Sequence, residues 1–230
     1  HAMEFELWWL LPIPAVFFAL GWIAARIDIK HLLTESRALP LSYFRGLNFL
    51  LNEQPDKAID AFIEVVKVEP ETVELHFALG NLFRRRGELE RAIRMHQNIL
   101  DREDLGQEQR LSALFELGQD YLKAGLLDRA EEMFQRLIGT NLEQQGLRYL
   151  LEIYEQEKDW LKAIETSRKM DTISGESSAK DIAHFYCELA SGEMLHQRLE
   201  TARKYADEAL AVNRKCTRAS MILGDVEWQT

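Results

Sequence analysis

One spacing constrains this chain more than any other: a small residue followed twelve positions later by alanine. In 111–138 the pattern reads Leu117-Gly118 and Tyr121, then Ala130 and Phe134, with Lys123-Ala124-Gly125-Leu126 between them. Small residues at both places let two short antiparallel helices approach closely. Glycine in the intervening turn suits a helix C-terminus that needs a left-handed residue. The small position recurs at Gly46, Gly80, Gly118, Ala190 and Gly224, with Leu151 standing in the fourth unit. The alanine follows at Ala58, Ala92, Ala130, Ala163 and Ala202, at intervals of 34, 38, 33 and 39 residues. With alanine at roughly a tenth of positions, five hits in five arise by chance about once in a hundred thousand. The chain reads as an array of helix pairs.

That array resembles the tetratricopeptide repeat, whose L-G-x2-Y…A-x3-F template recurs about every 34 residues. The resemblance implies an all-α, right-handed superhelical solenoid over 39–230, with five repeats and the first helix of a sixth. Four extra residues separate the second and third units, in the charged stretch 101–108. Asp56, after Pro55, is a candidate N-cap for the second helix of the first unit. Leu151 in place of glycine predicts a wider helix pair in the fourth unit. The polar segment 171–180, with Gly175 inside it, is expected to be the most flexible linker of the repeat body. A sixth unit begins at Leu223-Gly224, where Met221, Ile222, Val226 and Trp228 lack the polarity of a capping helix, so the natural chain is expected to continue past residue 230.

The other end reads as a membrane anchor over 3–25, with His1 and Ala2 as a tag remnant. Residues 7–25 are nineteen uncharged positions rich in Leu, Phe, Ile, Val and Trp, about 28 Å as a helix and so about one bilayer core. Trp8, Trp9 and Trp22 lie near its two ends, where indole rings favour the membrane interface, and Arg26 begins the flank. Acidic Glu4 and Glu6 argue against a secretory signal, which starts basic. Arg26, Lys30, Arg37 and Arg45 follow the run and no Lys or Arg precedes it, which places the repeats on the cytoplasmic side of a single span. Residues 26–38 would join the span to the repeats along the lipid surface.

Chemistry-bearing motifs are absent. With 28 basic and 38 acidic residues the net charge is −10, the wrong sign for a nucleic-acid binder. No metalloprotease helix, P-loop, dinucleotide glycine pattern or nucleophile elbow occurs. Cys187 and Cys216 stand 29 residues apart with no C-x-x-C, neither a zinc framework nor a disulfide scaffold. His184 and Cys187 would share a helix face, yet structural zinc takes four ligands. No cofactor and no catalytic residue is expected.

A binding groove is the remaining candidate. In repeats of this kind the first helices line the concave surface. Positions 2, 5, 9 and 12 of each unit select Tyr43, Phe77, Asn81, Arg84, Phe115, Gln119, Arg148 and His184, with Arg85 beside them in the cluster Arg84-Arg85-Arg86. Aromatic, amide and arginine side chains in a groove suit a peptide or helix of another protein.

A narrower resemblance rests on residues that the repeat does not dictate. Gly46-Leu47-Asn48-Phe49-Leu50-Leu51-Asn52, Leu79-Gly80-Asn81-Leu82-Phe83-Arg84, Arg86-Gly87-Glu88, Arg91-Ala92-Ile93-Arg94 and Ile182-Ala183-His184-Phe185-Tyr186-Cys187-Glu188-Leu189 resemble the lipopolysaccharide assembly protein B family. The resemblance implies a non-enzymatic adaptor at the bacterial inner membrane. Its expected partners are an FtsH-type membrane protease, the LpxC deacetylase that it helps the protease degrade, a membrane-embedded regulator sensing lipopolysaccharide, and the lipid bilayer. The family's C-terminal rubredoxin-like zinc module, with its two C-x-x-C pairs, is missing here, so no zinc is implied for this chain. A general scaffold for lipopolysaccharide biosynthesis or transport proteins is the alternative reading, and homo-oligomerisation through the open end is a further option.

Overall fold

The computed structural model describes residues 41–68 and 72–229, in which eleven helices and no strand are found. The anchor and linker expectations for 3–38, with Trp8, Trp9, Trp22 and Arg26, lie outside the described residues. Among the described residues no helix is long and apolar enough to cross a membrane. The chain divides into two compact units, His1–Glu69 and Pro70–Thr230.

The first unit contains one hairpin, α1 (Leu41–Leu51) and α2 (Pro55–Val68). Ala58 and Phe62 are fully buried, and a Cβ added at Gly46 would lie 3.0 Å from the tip of the Phe62 ring. Proline opens α2 because its missing N–H costs nothing in a first turn. Asp56 is therefore inside that turn, where its charge favours the helix N-terminus, and is not the N-cap that the sequence suggested.

The second unit stacks four hairpins and a ninth helix. They are α3 (Val73–Arg86) with α4 (Leu89–Leu100), α5 (Gln107–Lys123) with α6 (Leu127–Gln135), α7 (Glu143–Glu157) with α8 (Trp160–Ser174), α9 (Ala179–Leu195) with α10 (Leu199–Val212), and α11 (Thr217–Gln229). One apolar core runs through the stack from Val73 to Val226. The register is the expected one: Ala58, Ala92, Ala130, Ala163 and Ala202 are all at 0% exposure.

The close approach that glycine permits has a fixed opponent. A Cβ at Gly118 would fall 2.8 Å from the Phe134 ring, and one at Gly80 would fall 2.5 Å from Nε2 of His96. Sixteen residues separate each glycine from its opponent, as they separate Gly46 from Phe62. The same interval sets Leu151 against buried Ser167 and Ala190 against buried Ala206. In the fourth unit the bulk has thus moved from the second helix to the first, an exchange of volume that the reading from Leu151 alone did not foresee.

Every hairpin turns through one left-handed residue five places before the buried alanine: Glu53, Gly87, Gly125, Lys158 and Gln197, with φ of 54°, 84°, 74°, 58° and 60°. The residue after it donates its N–H five residues back, as Glu88 does to the Phe83 carbonyl and Asp159 to that of Tyr154. This is the Schellman arrangement that satisfies carbonyls at a helix end. The segment 171–180, expected to be a linker, is partly helical. α8 continues to Ser174, Gly175 caps it, and the Asp171 carboxylate accepts from both the N–H and the hydroxyl of Ser178.

A candidate partner-binding face

Apart from Tyr43, the residues singled out by register lie on the first helices α3, α5, α7 and α9 of the second unit. Much of their polar chemistry links one repeat to the next. Arg84 on α3 donates to Glu116 at 2.5 Å and to Asp120 at 2.8 Å on α5, to the Glu116 carbonyl at 3.1 Å, and to Asn81 at 2.9 Å. Lys123 reaches back to the Arg84 carbonyl at 3.2 Å. The Arg84 side chain is only 15% exposed. Burial alone would lower the pKa of its guanidinium, but the hydrogen bonds and charges of Glu116 and Asp120 outweigh that and raise it.

Behind this clamp Asp120 is fully buried, and its second oxygen accepts from Nδ1 of fully buried His96 at 2.5 Å. Nε2 has no hydrogen-bond partner and faces Gly80. Arg84, Asp120 and His96 thus form a hydrogen-bonded chain from α3 through α5 to the buried side of α4. Sequence reasoning placed Arg84 on the face but missed Asp120, Glu116 and His96. His96 had a readable signal, since it stands where Phe62 and Phe134 stand in other units.

Between the third and fourth repeats, Tyr149 donates to Gln119 at 3.4 Å. Its ring stacks on Phe134 at 4.8 Å and meets Phe115 edge-on at 5.6 Å. Between α9 and α11, Arg218 donates to Glu188 at 2.5 Å and to Ser191 at 3.4 Å, with Nδ1 of His184 at 3.3 Å. His184 therefore faces Arg218, while Cys187 on the same helix faces Cys216.

The structure joins Asn81 to Arg84 and sets the Phe77 ring 6.0 Å from that of His96. Phe115 and Gln119 meet around Tyr149. Arg85 and Arg148 are exposed, with no ion-pair partner among the described residues. Tyr43 falls on α1 in the first unit, and its side chain lies outside the described residues. The register extends further than the sequence reading took it. Arg218, Met221 and Trp228 occupy positions 2, 5 and 12 of the sixth unit, with Met221 at 66% and Trp228 at 90% exposure.

The reverse side holds a cleft of about 180 Å³ floored by Leu147 and Leu150. There the Tyr154 hydroxyl donates to Glu131 at 2.8 Å and accepts from Gln135 at 2.9 Å. Burial first, then the Glu131 carboxylate, hold that phenol above its ordinary pKa, so it stays protonated. Lys162 and Lys169 at its rim are offset by Glu131 and Glu165. The arrangement binds itself and offers no activated nucleophile.

Curated relatives from two species carry the name lipopolysaccharide assembly protein B. The one from Escherichia coli (strain K12) is 40% identical over 219 residues, covering 94% of this chain and 56% of its own length. The one from Haemophilus influenzae (strain ATCC 51907 / DSM 11121 / KW20 / Rd) is 34% identical over 227 residues with the same shares of each chain. The chain thus spans about 56% of the length of these relatives, and the resemblance first read from a few segments extends over 94% of it. Among solved structures the MamA protein superposes with a TM-score of 0.54 at 21% identity, over 77% of this chain and 92% of that one, a likeness of fold alone. The Tetratricopeptide repeat model matches residues 45–100, 115–175 and 187–230, and with most of its length so matched the chain belongs to the tetratricopeptide repeat family.

Proposed function

We propose that this chain is the anchor-and-repeat portion of an inner-membrane adaptor in lipopolysaccharide assembly. In this reading it promotes degradation of LpxC by an FtsH-type protease under restraint by a membrane-embedded lipopolysaccharide sensor. The observation that carries the reading is the 40% identity over 94% of the chain to proteins named for lipopolysaccharide assembly. The geometry supports an interaction role. Exposed Arg148, Glu152 and His184 follow one another along the first-helix face, giving a partner charged and hydrogen-bonding groups. The apolar run 7–25 would hold that face beside a membrane protease and raise the local concentration of whatever it binds. The role is then non-enzymatic, the peptide-bond cleavage belonging to the protease.

The test is the lifetime of LpxC in cells whose only copy of the adaptor is the natural full-length protein carrying Arg148→Glu and Glu152→Lys. LpxC should persist several-fold longer and should no longer co-purify with the adaptor, while the thermal midpoint of the variant stays unchanged. Unaltered LpxC turnover in the stable variant would refute the reading.

A further inference from the structure

The two cysteines are 29 residues apart in the chain, yet the fold brings their sulfurs to 3.6 Å. Cys187 is buried in α9, at the place that Phe77, Phe115 and Arg148 hold on earlier first helices, so the repeat does not ask for cysteine there. Cys216 is half buried in the turn between α10 and α11. Its N–H donates to the Asn213 carbonyl, and its own carbonyl accepts the first helical bond of α11, from Ser220. Both are free thiols.

We propose that Cys187 and Cys216 are a dithiol modification site, converted by a low-molecular-weight disulfide of the oxidised-glutathione class into an intramolecular disulfide that staples α9 to the start of α11. The sulfurs need to close by about 1.5 Å to reach a bond length of about 2.05 Å. Cys216 sits on a turn, where side-chain rotation and a small backbone adjustment can supply that closure.

The exchange balances in two steps. The Cys216 sulfur, having lost its proton, attacks one sulfur of the small disulfide. The Cys216–S–S–R bond forms and the first RS⁻ leaves, taking up a proton. The Cys187 sulfur, deprotonated in turn, then attacks Cys216 Sγ from the adjoining position. The protein disulfide forms and the second RS⁻ departs. One small disulfide is reduced to two thiols as two protein thiols are oxidised. Burial, and then the contact with Cys216, push the Cys187 thiol up to about 12, with Arg218 acting against this and Glu188 adding to it. This order of events, half-buried Cys216 first and buried Cys187 as the resolving thiol, follows from access.

The staple would be registered on the partner-binding face. Cys187 lies between His184 and Glu188 on α9, and Cys216 lies two residues before Arg218, whose guanidinium bridges to both of them. Drawing the two backbones together changes the spacing across that bridge.

The full chain, reduced and held in detergent, is incubated with oxidised glutathione, quenched in acid, alkylated and mapped by mass spectrometry. The expected product lacks two hydrogens, joins the peptides carrying Cys187 and Cys216, and melts at a higher temperature in a way that dithiothreitol reverses. Cys216→Ser should keep the parent fold and lose both effects, and Cys187→Ser should stop at the glutathione adduct on Cys216. A wild-type product that remains a mixed disulfide at Cys216 with Cys187 unoxidised, or that is linked only between chains, would overturn the proposal.

Discussion

Gly118 and Gly192 are both helical glycines, and alanine should have opposite effects at the two. At Gly118 the new methyl would sit 2.8 Å from Phe134. That ring is held by the stack on Tyr149 and the edge contact with Phe115, so it has nowhere to go. Gly118→Ala should cost about 1–3 kcal/mol by overpacking. Nothing lies within 4 Å of a Cβ at Gly192, so Gly192→Ala should stabilise by about 0.5–1 kcal/mol through helix propensity alone. Chemical denaturation of the two variants beside the parent checks both signs. Asp120 presents a larger stake. Removing its carboxylate leaves Arg84 and His96 without a shared acceptor in a buried place, and Asp120→Ala should cost about 3–5 kcal/mol by the same measurement. The glycines and alanines were readable because their spacing is a property of the chain itself. The role of Arg84 was not, because its partners lie 32 and 36 residues on, and only folding decides that it clamps the next repeat.

At the scale of the helix pair, the turn is specified by its geometry more than by its residue. Gly87 and Gly125 announce a left-handed turn in the sequence, whereas Lys158 and Gln197 adopt the same conformation without announcing it. A non-glycine residue there carries a steric cost that the rest of the hairpin absorbs. Lys158→Gly should therefore raise stability by about 1 kcal/mol, against the usual direction of a glycine substitution. Thermal melting of that single variant checks it, and a loss would mean the turn is not held as described. The fourth hairpin shows the limit of reading one position at a time. Leu151 read alone looks like a disruption, yet the residue sixteen places on, where Phe62 and Phe134 stand in other units, is the small, buried Ser167. The loop at 171–180 looked loose by composition, yet Asp171 and Ser178 close it with hydrogen bonds that composition does not encode.

For the molecule as a whole, the repeat period alone was enough to read an all-α array, because five matched hairpins leave few other ways to bury the alanines. The candidate face was legible as a set of positions and less so as chemistry. Arg84 and Gln119 turn out to join neighbouring repeats, with Asn81 accepting from Arg84 on its own helix, and His184 meets Arg218 of the next repeat, while Arg148 and Glu152 are exposed. The account holds that this face engages another polypeptide. Photocrosslinking in native membranes, with the reactive residue placed in turn at Arg148 and Glu152 on a first helix and at Arg129 and Lys204 on second helices, tests that most directly. Adducts to LpxC from the first pair and none from the second are the predicted result. Adducts from Arg129 and Lys204 alone would contradict the account.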